Sequence, residues 1–254
     1  MIAFTDTQLL GWLGAFLLPM FRVLALFSVA PVLGNRAVPV RVRVALAGAV
    51  AALVAPFVDV PAGWSLGTTA GLGLVVREIV IGLMIGFVIR LAIAAFELAG
   101  EIIGLQMGLS FAGFFDPQAG QANAVGRLLN TFALAAFVAL NGPLLVIAAI
   151  LQSFVALPVA GSGLSALGPA NAVALGAQMF ATAVAVAMPF VALLLFVNLV
   201  LGVVSRVAPQ FSVFSVGFPV TIGAGLVLLA VGASLIEAQL VEAIRQVLER
   251  FATI

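Results

Sequence analysis

The sequence contains no cysteine, no histidine and no tyrosine, and all of its 10 basic residues are arginine. Without cysteine or histidine, disulfide bonds, thiolate or imidazole metal ligands and histidine-based catalysis are excluded. Charge is also scarce, because charged residues make up 7% of the chain, whereas soluble domains carry roughly a quarter. The sequence therefore predicts a protein that is not an enzyme and that holds no metal and no cofactor.

The abundant residues are apolar. The 254 residues are 65% hydrophobic, and the mean hydropathy is +1.35. Such a chain is typical of an integral membrane protein, and the net charge of +1 with no basic run gives no basis for binding nucleic acid. The N-terminus lacks a positively charged stretch, and its first charge is Asp6, so a cleaved signal peptide is not expected.

Apolar segments long enough to cross a membrane require about 20 residues each. Six segments approach that length, at about 8–30, 43–58, 66–96, 126–156, 172–202 and 212–236. Four prolines lie inside or at the ends of these segments, and each is expected to kink its helix: Pro19, Pro143, Pro189 and Pro219. The predicted fold class is all-α, a polytopic integral membrane protein with about six long, kinked hydrophobic helices.

The remaining features outside these segments concern topology. The stretch between the first two segments carries Arg36, Arg41 and Arg43, which by the positive-inside rule predicts that it faces the cytoplasm and that the N-terminus lies outside.

In the C-terminal tail, residues 237–254, apolar side chains recur at helical spacing on one face and charged side chains lie on the other. This tail is predicted to be an amphipathic helix, either partly solvated or docked on a partner or the membrane surface.

Six ionisable residues lie within or beside the first and third apolar segments: Arg22, Arg77, Glu78, Arg90, Glu97 and Glu101. An ionisable group in hydrocarbon costs several kcal/mol, so such groups usually face a cavity or pair with one another. The first hypothesis is internal ion pairing, such as Arg22 with Glu78. The alternative is a proton or ion pathway.

Small residues recur at four-residue spacing. Glu97, Glu101, Gly104 and Gly108 share one stripe of a helix, and Gly100, Gly104 and Gly108 form a doubled GxxxG pattern. The pairs Gly67/Gly71 and Gly82/Gly86 repeat this spacing. In membranes the pattern permits close backbone approach between helices, so it predicts tight packing within the chain or against other subunits.

The segment GLQMGLSFAGFFDPQAG, residues 104–120, is too interrupted by glycine for an ordinary span and too apolar for a solvated loop. Irregular backbone at membrane depth is tolerated only when it is buried in protein or lines a water-filled space, and an apolar loop can close such a space by dewetting. The segment is therefore a candidate gate, with a re-entrant packing hairpin as the alternative. The candidate residues are Gly104, Met107 and Gly108 as the bendable part, Phe111, Phe114 and Phe115 as the obstruction, and Asp116 and Pro117 as its end.

The motif GEIIGLQMGLSFAGFFDP resembles the signature region of the FliR family of flagellar type III protein export-gate components. Further similar motifs follow in the same order, namely GRLLNTFALAAFVALNG, SFVALPVAG and NLVLGVVSRVAPQFSVFSVGFPVTIGAGL. The length and the six apolar segments also agree along nearly the whole chain. The related injectisome proteins share the architecture, but the GLQMGLSFA region favours the flagellar branch.

The resemblance implies a domain organisation and a site. It implies a FliP-like part (1–182), a FliQ-like helical hairpin (183–236) and a C-terminal helix (237–254). Residues 104–120 would be the plug loop of the export channel, and Arg206 and Gln210 would lie at its cytoplasmic entrance. The implied partners are FliP, FliQ, FlhB and FlhA, together with unfolded flagellar export substrates, in the flagellar basal body of the bacterial inner membrane.

Three other functions are compatible with a polytopic membrane protein. A secondary transporter would show an internal repeat and paired carboxylates near the midplane, but no Asp or Glu occurs between Asp116 and Glu237. A membrane enzyme would require a nucleophile with a base or a metal, and Ser110, Ser153 and Ser205 have no evident base. A scaffold that takes no part in gating is the third alternative.

Overall fold

A computed structural model describes residues 6–61, 64–109, 123–161, 169–208 and 216–252. Within these ranges the chain is helical and contains no β-strand. The helices are α1 (Asp6–Val29), α2 (Val40–Val54), α3 (Thr69–Gln106), α4 (Ala124–Ala139), α5 (Gly142–Ala156), α6 (Pro169–Val207), α7 (Phe218–Val231) and α8 (Ala233–Ala252). A 3-10 turn, Ala55–Phe57, follows α2.

The length and composition of these helices confirm the predicted fold class. Within the described ranges, four helices are long and apolar enough to cross a membrane, and the number rises to six if each of two broken pairs counts as one span. The broken pairs are α4 with α5 and α7 with the first part of α8. The second pair bends by 59°, at Gly232. The sixth predicted segment, 212–236, therefore contains a break that its composition did not indicate.

The third helix extends beyond its expected end. The apolar pattern predicts an end near residue 96, followed by a segment that could re-enter the membrane, whereas α3 continues to Gln106. Glu97 and Glu101 lie in this last part of the helix and accept hydrogen bonds from Asn130 and Asn123 of a neighbouring segment. Because these carboxylates are stabilised by tertiary contacts, the helix has no need to end before them.

The four prolines divide into two groups. Pro19 and Pro189 lie inside α1 and α6, as predicted. Pro143 and Pro219 instead lie in the first turns of α5 and α7. The predicted segment 126–156 is broken and bent directly before Pro143, which confirms a kink there. Pro219 instead begins α7, where a proline removes an N–H that has no partner within the helix.

The chain divides into two compact units. Unit 1 comprises residues 1–91, 138–175 and 246–254, and unit 2 comprises residues 92–137 and 176–245. The proposed organisation into parts 1–182, 183–236 and 237–254 follows the family resemblance and stays a prediction.

In unit 1, α1 and α2 pack against each other, and α3 crosses α1 at two glycines. A Cβ atom at Gly82 would overlap the backbone oxygen of Arg22, and one at Gly86 would lie 2.9 Å from the backbone oxygen of Leu26. The Gly82/Gly86 pair thus permits the close helix approach that its spacing predicts. Gly71, in contrast, lies against Ser65 in the preceding turn, so within the described part of unit 1 its spacing from Gly67 marks no helix–helix contact.

In unit 2, glycines again lie where helices meet. A Cβ atom at Gly100 would lie 2.7 Å from the Cα atom of Gly126 at the start of α4. Gly225 of α7 leaves space for the side chain of Met107, which is fully buried. Many apolar side chains of the 176–207 portion of α6 remain exposed within this chain: Phe180, Val184, Met188, Leu193, Leu195, Phe196, Leu199, Val200, Val203 and Val204.

Candidate functional site

The candidate residues within the described ranges form two groups, one in each unit. In unit 1, Arg22 of α1 and Glu78 of α3 are both fully buried and form an ion pair. The guanidinium donates from Nε to Oε2 of Glu78 at 2.6 Å and from Nη2 to Oε1 at 3.0 Å. This bidentate contact is the ion pair that the sequence analysis predicted, and its planar geometry is specific to arginine.

The remaining N–H groups of Arg22 reach the C-terminal end of α5. Nη1 donates to the backbone oxygen of Ser153 at 2.9 Å and to its hydroxyl at 3.1 Å, and Nη2 donates to the backbone oxygen of Leu157 at 2.9 Å. All five N–H donors of the guanidinium therefore have acceptors. The ring of Phe154 lies 4.1 Å from the guanidinium carbon, which adds a cation–π contact.

Arg77 binds the same part of the chain. Its Nη1 donates to the backbone oxygen of Val159 at 2.6 Å, and its Nη2 donates to that of Pro158 at 3.0 Å. The carbonyl groups at and beyond a helix C-terminus carry partial negative charge and lack partners within the helix. Arg22 and Arg77 supply those partners, so this cluster connects α1, α3 and the end of α5 in a structural role.

The other predicted charges are dispersed. In unit 2, Glu97 accepts a hydrogen bond from Nδ2 of Asn130 at 3.0 Å, and Glu101 accepts one from the backbone N–H of Asn123 at 3.1 Å. Arg90 and Arg206 are exposed, and neither has an ion-pair partner within the described ranges. Arg206 lies in the last turn of α6, where a positive charge is favourable next to the helix C-terminus.

The second group lies at the start of the candidate gate segment, where α3 ends. Gly108 has a φ of +80°, a left-handed conformation that glycine adopts without strain, and a Cβ atom there would lie 2.5 Å from the ring of Phe218. The backbone oxygen of Met107 accepts a hydrogen bond from the hydroxyl of Thr221 at 3.2 Å. The backbone oxygen of Gln106 accepts one from Nδ2 of Asn198 at 3.3 Å. The end of α3 is therefore held by both α6 and α7.

The other end of the segment is Asn123, which precedes α4. Its Oδ1 atom accepts a hydrogen bond from the backbone N–H of Val125 at 3.0 Å, so Asn123 caps the N-terminus of α4. Its own N–H donates to Glu101, and its side chain lies so close to Gly104 that a Cβ atom there would overlap it. The chain leaves α3 and returns at Asn123 to contact the same turn of α3.

Five predicted plug residues lie outside the described residues, as does one predicted entrance residue. They are Phe111, Phe114, Phe115, Asp116, Pro117 and Gln210. Their assigned roles stay predictions.

Several contacts of both groups were not predicted from the sequence. Ser153 was considered as a nucleophile and not as a partner of Arg22, and Thr221 was not considered. Both are isolated polar residues in apolar segments, and their partners are distant in the chain. Asn123 did carry a usable signal, because asparagine directly before an apolar helical segment is typical of a helix N-cap.

Comparison with known proteins assigns the family. The sequence profile of the bacterial export proteins, family 1, matches residues 13–247. The flagellar biosynthetic protein FliR of Escherichia coli (strain K12) is 40% identical over 235 residues, covering 91% of this chain and 88% of that protein. FliR of Pectobacterium carotovorum subsp. carotovorum is 38% identical over 230 residues, covering 90% and 88%. FliR of Bacillus subtilis (strain 168) is 34% identical over 229 residues, covering 87% of each.

These matches span nearly the whole chain, and they include the motifs on which the resemblance depends. The apolar helices agree with a membrane location. The chain therefore belongs to the FliR family of bacterial export proteins, as a membrane component of the flagellar export apparatus.

Proposed function

We propose that this protein forms part of the wall and the closure of the flagellar protein export channel. In this proposal it assembles with FliP and FliQ subunits, near FlhB and FlhA, in the inner-membrane part of the basal body. Unfolded flagellar proteins pass through the assembly, and residues 104–120 help to close it. The family assignment supports the export role.

The observation that carries the gating role is the anchoring of both flanks of the 110–122 segment in unit 2. Gly108 and Met107 are packed against α7 at one flank, and Asn123 contacts Glu101 and Gly104 of α3 at the other. Because both ends of the segment are fixed beside α3, its middle can move without displacing the helices that carry it. This geometry suits a local closure that is displaced and then restored without rearrangement of the surrounding helices.

The chemistry of the segment suits a seal for unfolded polypeptide. Apolar side chains in a narrow bore hold water poorly, so the bore closes to ions by dewetting. A passing chain displaces Phe111, Phe114 and Phe115 without breaking hydrogen bonds, because phenyl rings form none. Reclosure then restores the apolar seal.

The exposed apolar surface of unit 2 supports assembly with other subunits. In the proposed FliQ-like hairpin (183–236), the described parts of α6 and α7 expose large apolar side chains on several faces. Single exposed apolar residues are ordinary, whereas extended apolar surfaces mark contacts with lipid or with other proteins. The hairpin would place Arg206 and Gln210 at the cytoplasmic entrance.

The test is ion conductance of the assembled complex in planar bilayers or proteoliposomes. In the double variant Phe114→Ala/Phe115→Ala, we expect a higher ion leak through the closed complex, because two phenyl groups are removed from the seal. A density map of the same purified complex would show whether residues 104–120 occlude its axis.

The matched control is Phe57→Ala, because this ring is 86% exposed in the turn after α2 and lies far from the segment in sequence. We expect Phe57→Ala to leave the leak unchanged. Normal assembly of the double variant with an unchanged leak would contradict the gating role. A map with residues 104–120 against lipid at the periphery would contradict it as well.

A further inference from the structure

Three arginines lie close together at the turn between α1 and α2, and we name Arg36, Arg41 and Arg43 the arginine cluster. Arg36 lies in the turn, and Arg41 and Arg43 lie in the first turn of α2. No carboxylate occurs in the sequence between Asp6 and Asp59. The cluster is therefore a local concentration of positive charge without a neighbouring acid in the sequence.

The turn that carries the cluster has a defined shape. Val32 has a φ of +67°, which is rare for a β-branched residue, and the N–H of Gly34 donates to the backbone oxygen of Ala30 at 2.8 Å. Asn35 accepts a hydrogen bond from Ala37 N–H on its Oδ1 atom at 3.0 Å. These bonds hold the turn in place.

The guanidinium groups of the cluster make few bonds to protein. Nη2 of Arg43 donates to the backbone oxygen of Asn35 at 3.2 Å, which places this side chain beside Arg36. Nε of Arg43 is buried and has no hydrogen-bond partner. Arg36 and Arg41 are exposed, and within the described ranges neither has an ion-pair partner. Most of the donor capacity of the cluster remains available for an anion.

The helix that follows increases the local positive potential. The N-terminus of α2 has no side-chain cap, and its first turn contains no acidic residue. The N-terminal end of a helix carries partial positive charge, so arginines in the first turn are electrostatically unfavourable there. A bound anion would relieve this repulsion.

Apolar side chains border the cluster. Val40, Val42, Val44 and Leu46 are all exposed on α2, and Val40–Phe57 is one of the segments apolar enough to cross a membrane. Charges at the end of such a segment lie at the level of lipid headgroups, with the apolar side chains next to acyl chains. A ligand that combines a phosphate with acyl chains matches both surfaces.

We propose that the arginine cluster binds the phosphate group of an anionic phospholipid, with the acyl chains against the exposed valines of α2. Arginine recognises phosphate with paired, charge-assisted hydrogen bonds. The apolar border favours a lipid headgroup over a phosphate in solution, which would contact only the guanidinium groups. This proposal rests on the membrane location and does not depend on a channel.

The test is lipid retention by the full chain, purified in mild detergent and measured by native mass spectrometry. The probes are phosphatidylglycerol and phosphatidylcholine with identical acyl chains. We expect preferential retention of phosphatidylglycerol. In Arg36→Gln/Arg41→Gln its apparent affinity should fall about 30-fold, or about 2 kcal/mol at about 1.4 kcal/mol per factor of ten, since each arginine near an anionic headgroup contributes about half of this.

The control variant is Arg90→Gln/Arg127→Gln, which removes two exposed arginines from other helices and lowers the net charge equally. It should retain phosphatidylglycerol as the native chain does. With the native chain, added salt should weaken the preference, because exposed charges are screened. The proposal is overturned if both variants lose the lipid equally, if neither does, or if salt leaves the preference unchanged.

Discussion

Replacement of Glu78 by glutamine tests the buried ion pair in unit 1 with little change of shape. The substitution keeps the volume of the side chain but removes the negative charge opposite Arg22, which is fully buried and has no other carboxylate partner within the described ranges. It also replaces one of the two oxygens that accept hydrogen bonds from Nε and Nη2 of Arg22 with an amide N–H₂ group, which cannot accept a hydrogen bond. The result is an uncompensated cation in an apolar interior.

The expected loss of stability follows from this burial. Removing one partner of a buried pair costs about 3–5 kcal/mol, because the remaining charge stays desolvated. At about 2–4 °C per kcal/mol for a chain of this size, the apparent melting temperature should fall by about 6–20 °C. The carbonyl groups of Ser153 and Leu157 still accept from Arg22, so the arginine is held in place and cannot move to water.

The assay is a double-mutant cycle. For each variant, thermal unfolding of the full chain in detergent is monitored by size-exclusion chromatography. The cycle compares Glu78→Gln, Arg22→Met and Arg22→Met/Glu78→Gln. The double variant contains no unpaired charge, so its loss of stability should be smaller than the sum of the single losses by about 2–3 kcal/mol. The matched control is Glu97→Gln, which alters one hydrogen bond to Asn130 and should cost about 1 kcal/mol.

Additive losses in the cycle would refute the reasoning, since they would mean that the two charges are not coupled. A Glu78→Gln variant as stable as the native chain would refute it too. It would show that the cation is solvated despite its burial.

Two glycine substitutions test the helix packing. Gly82→Ala should lower the melting temperature, because a Cβ atom at Gly82 overlaps the backbone of Arg22. Gly73→Ala in the same helix is the control, because nothing lies within 4 Å of a Cβ atom there. Gly73→Ala should raise the melting temperature slightly, since alanine is favoured over glycine by about 1 kcal/mol in a helix. An equal fall in melting temperature for both variants would contradict this packing. Gly108→Ala should lower the melting temperature for two reasons. The positive φ of this position costs a residue with a Cβ atom about 1–2 kcal/mol, and the added Cβ atom would contact Phe218. An unchanged melting temperature would contradict the described end of α3.

The sequence predicted the membrane class and the family because the first depends on the hydropathy of individual segments and the second on short sequence motifs. Hydropathy identifies long apolar helices wherever the chain places them. The spacing of Gly82 and Gly86 predicted close packing, and the structure places α1 against them. The ion pair of Arg22 and Glu78 was also anticipated, because an apolar interior leaves two opposite charges few alternatives.

Helix ends were less predictable. The apolar pattern predicted that α3 ends near residue 96, but the helix continues to Gln106, and asparagines of a later segment donate to Glu97 and Glu101 in this last part. Pro143 and Pro219 were both expected to kink a helix. The chain is bent directly before Pro143, whereas Pro219 begins α7. In each case the outcome depends on whether a backbone or side-chain group finds a partner elsewhere, which local patterns do not encode.

By itself, then, the sequence determined that this protein is helical, lies in a membrane and belongs to an export family. Only the tertiary structure decided which groups complete the buried guanidinium, since Glu78 is 56 residues from Arg22 and Ser153 is 131 residues from it. It also decided that Asn123 returns to the turn of α3 that contains Gly104. The physical reason is that hydrophobicity is a property of each segment, whereas hydrogen bonds and close packing are properties of pairs that folding brings together.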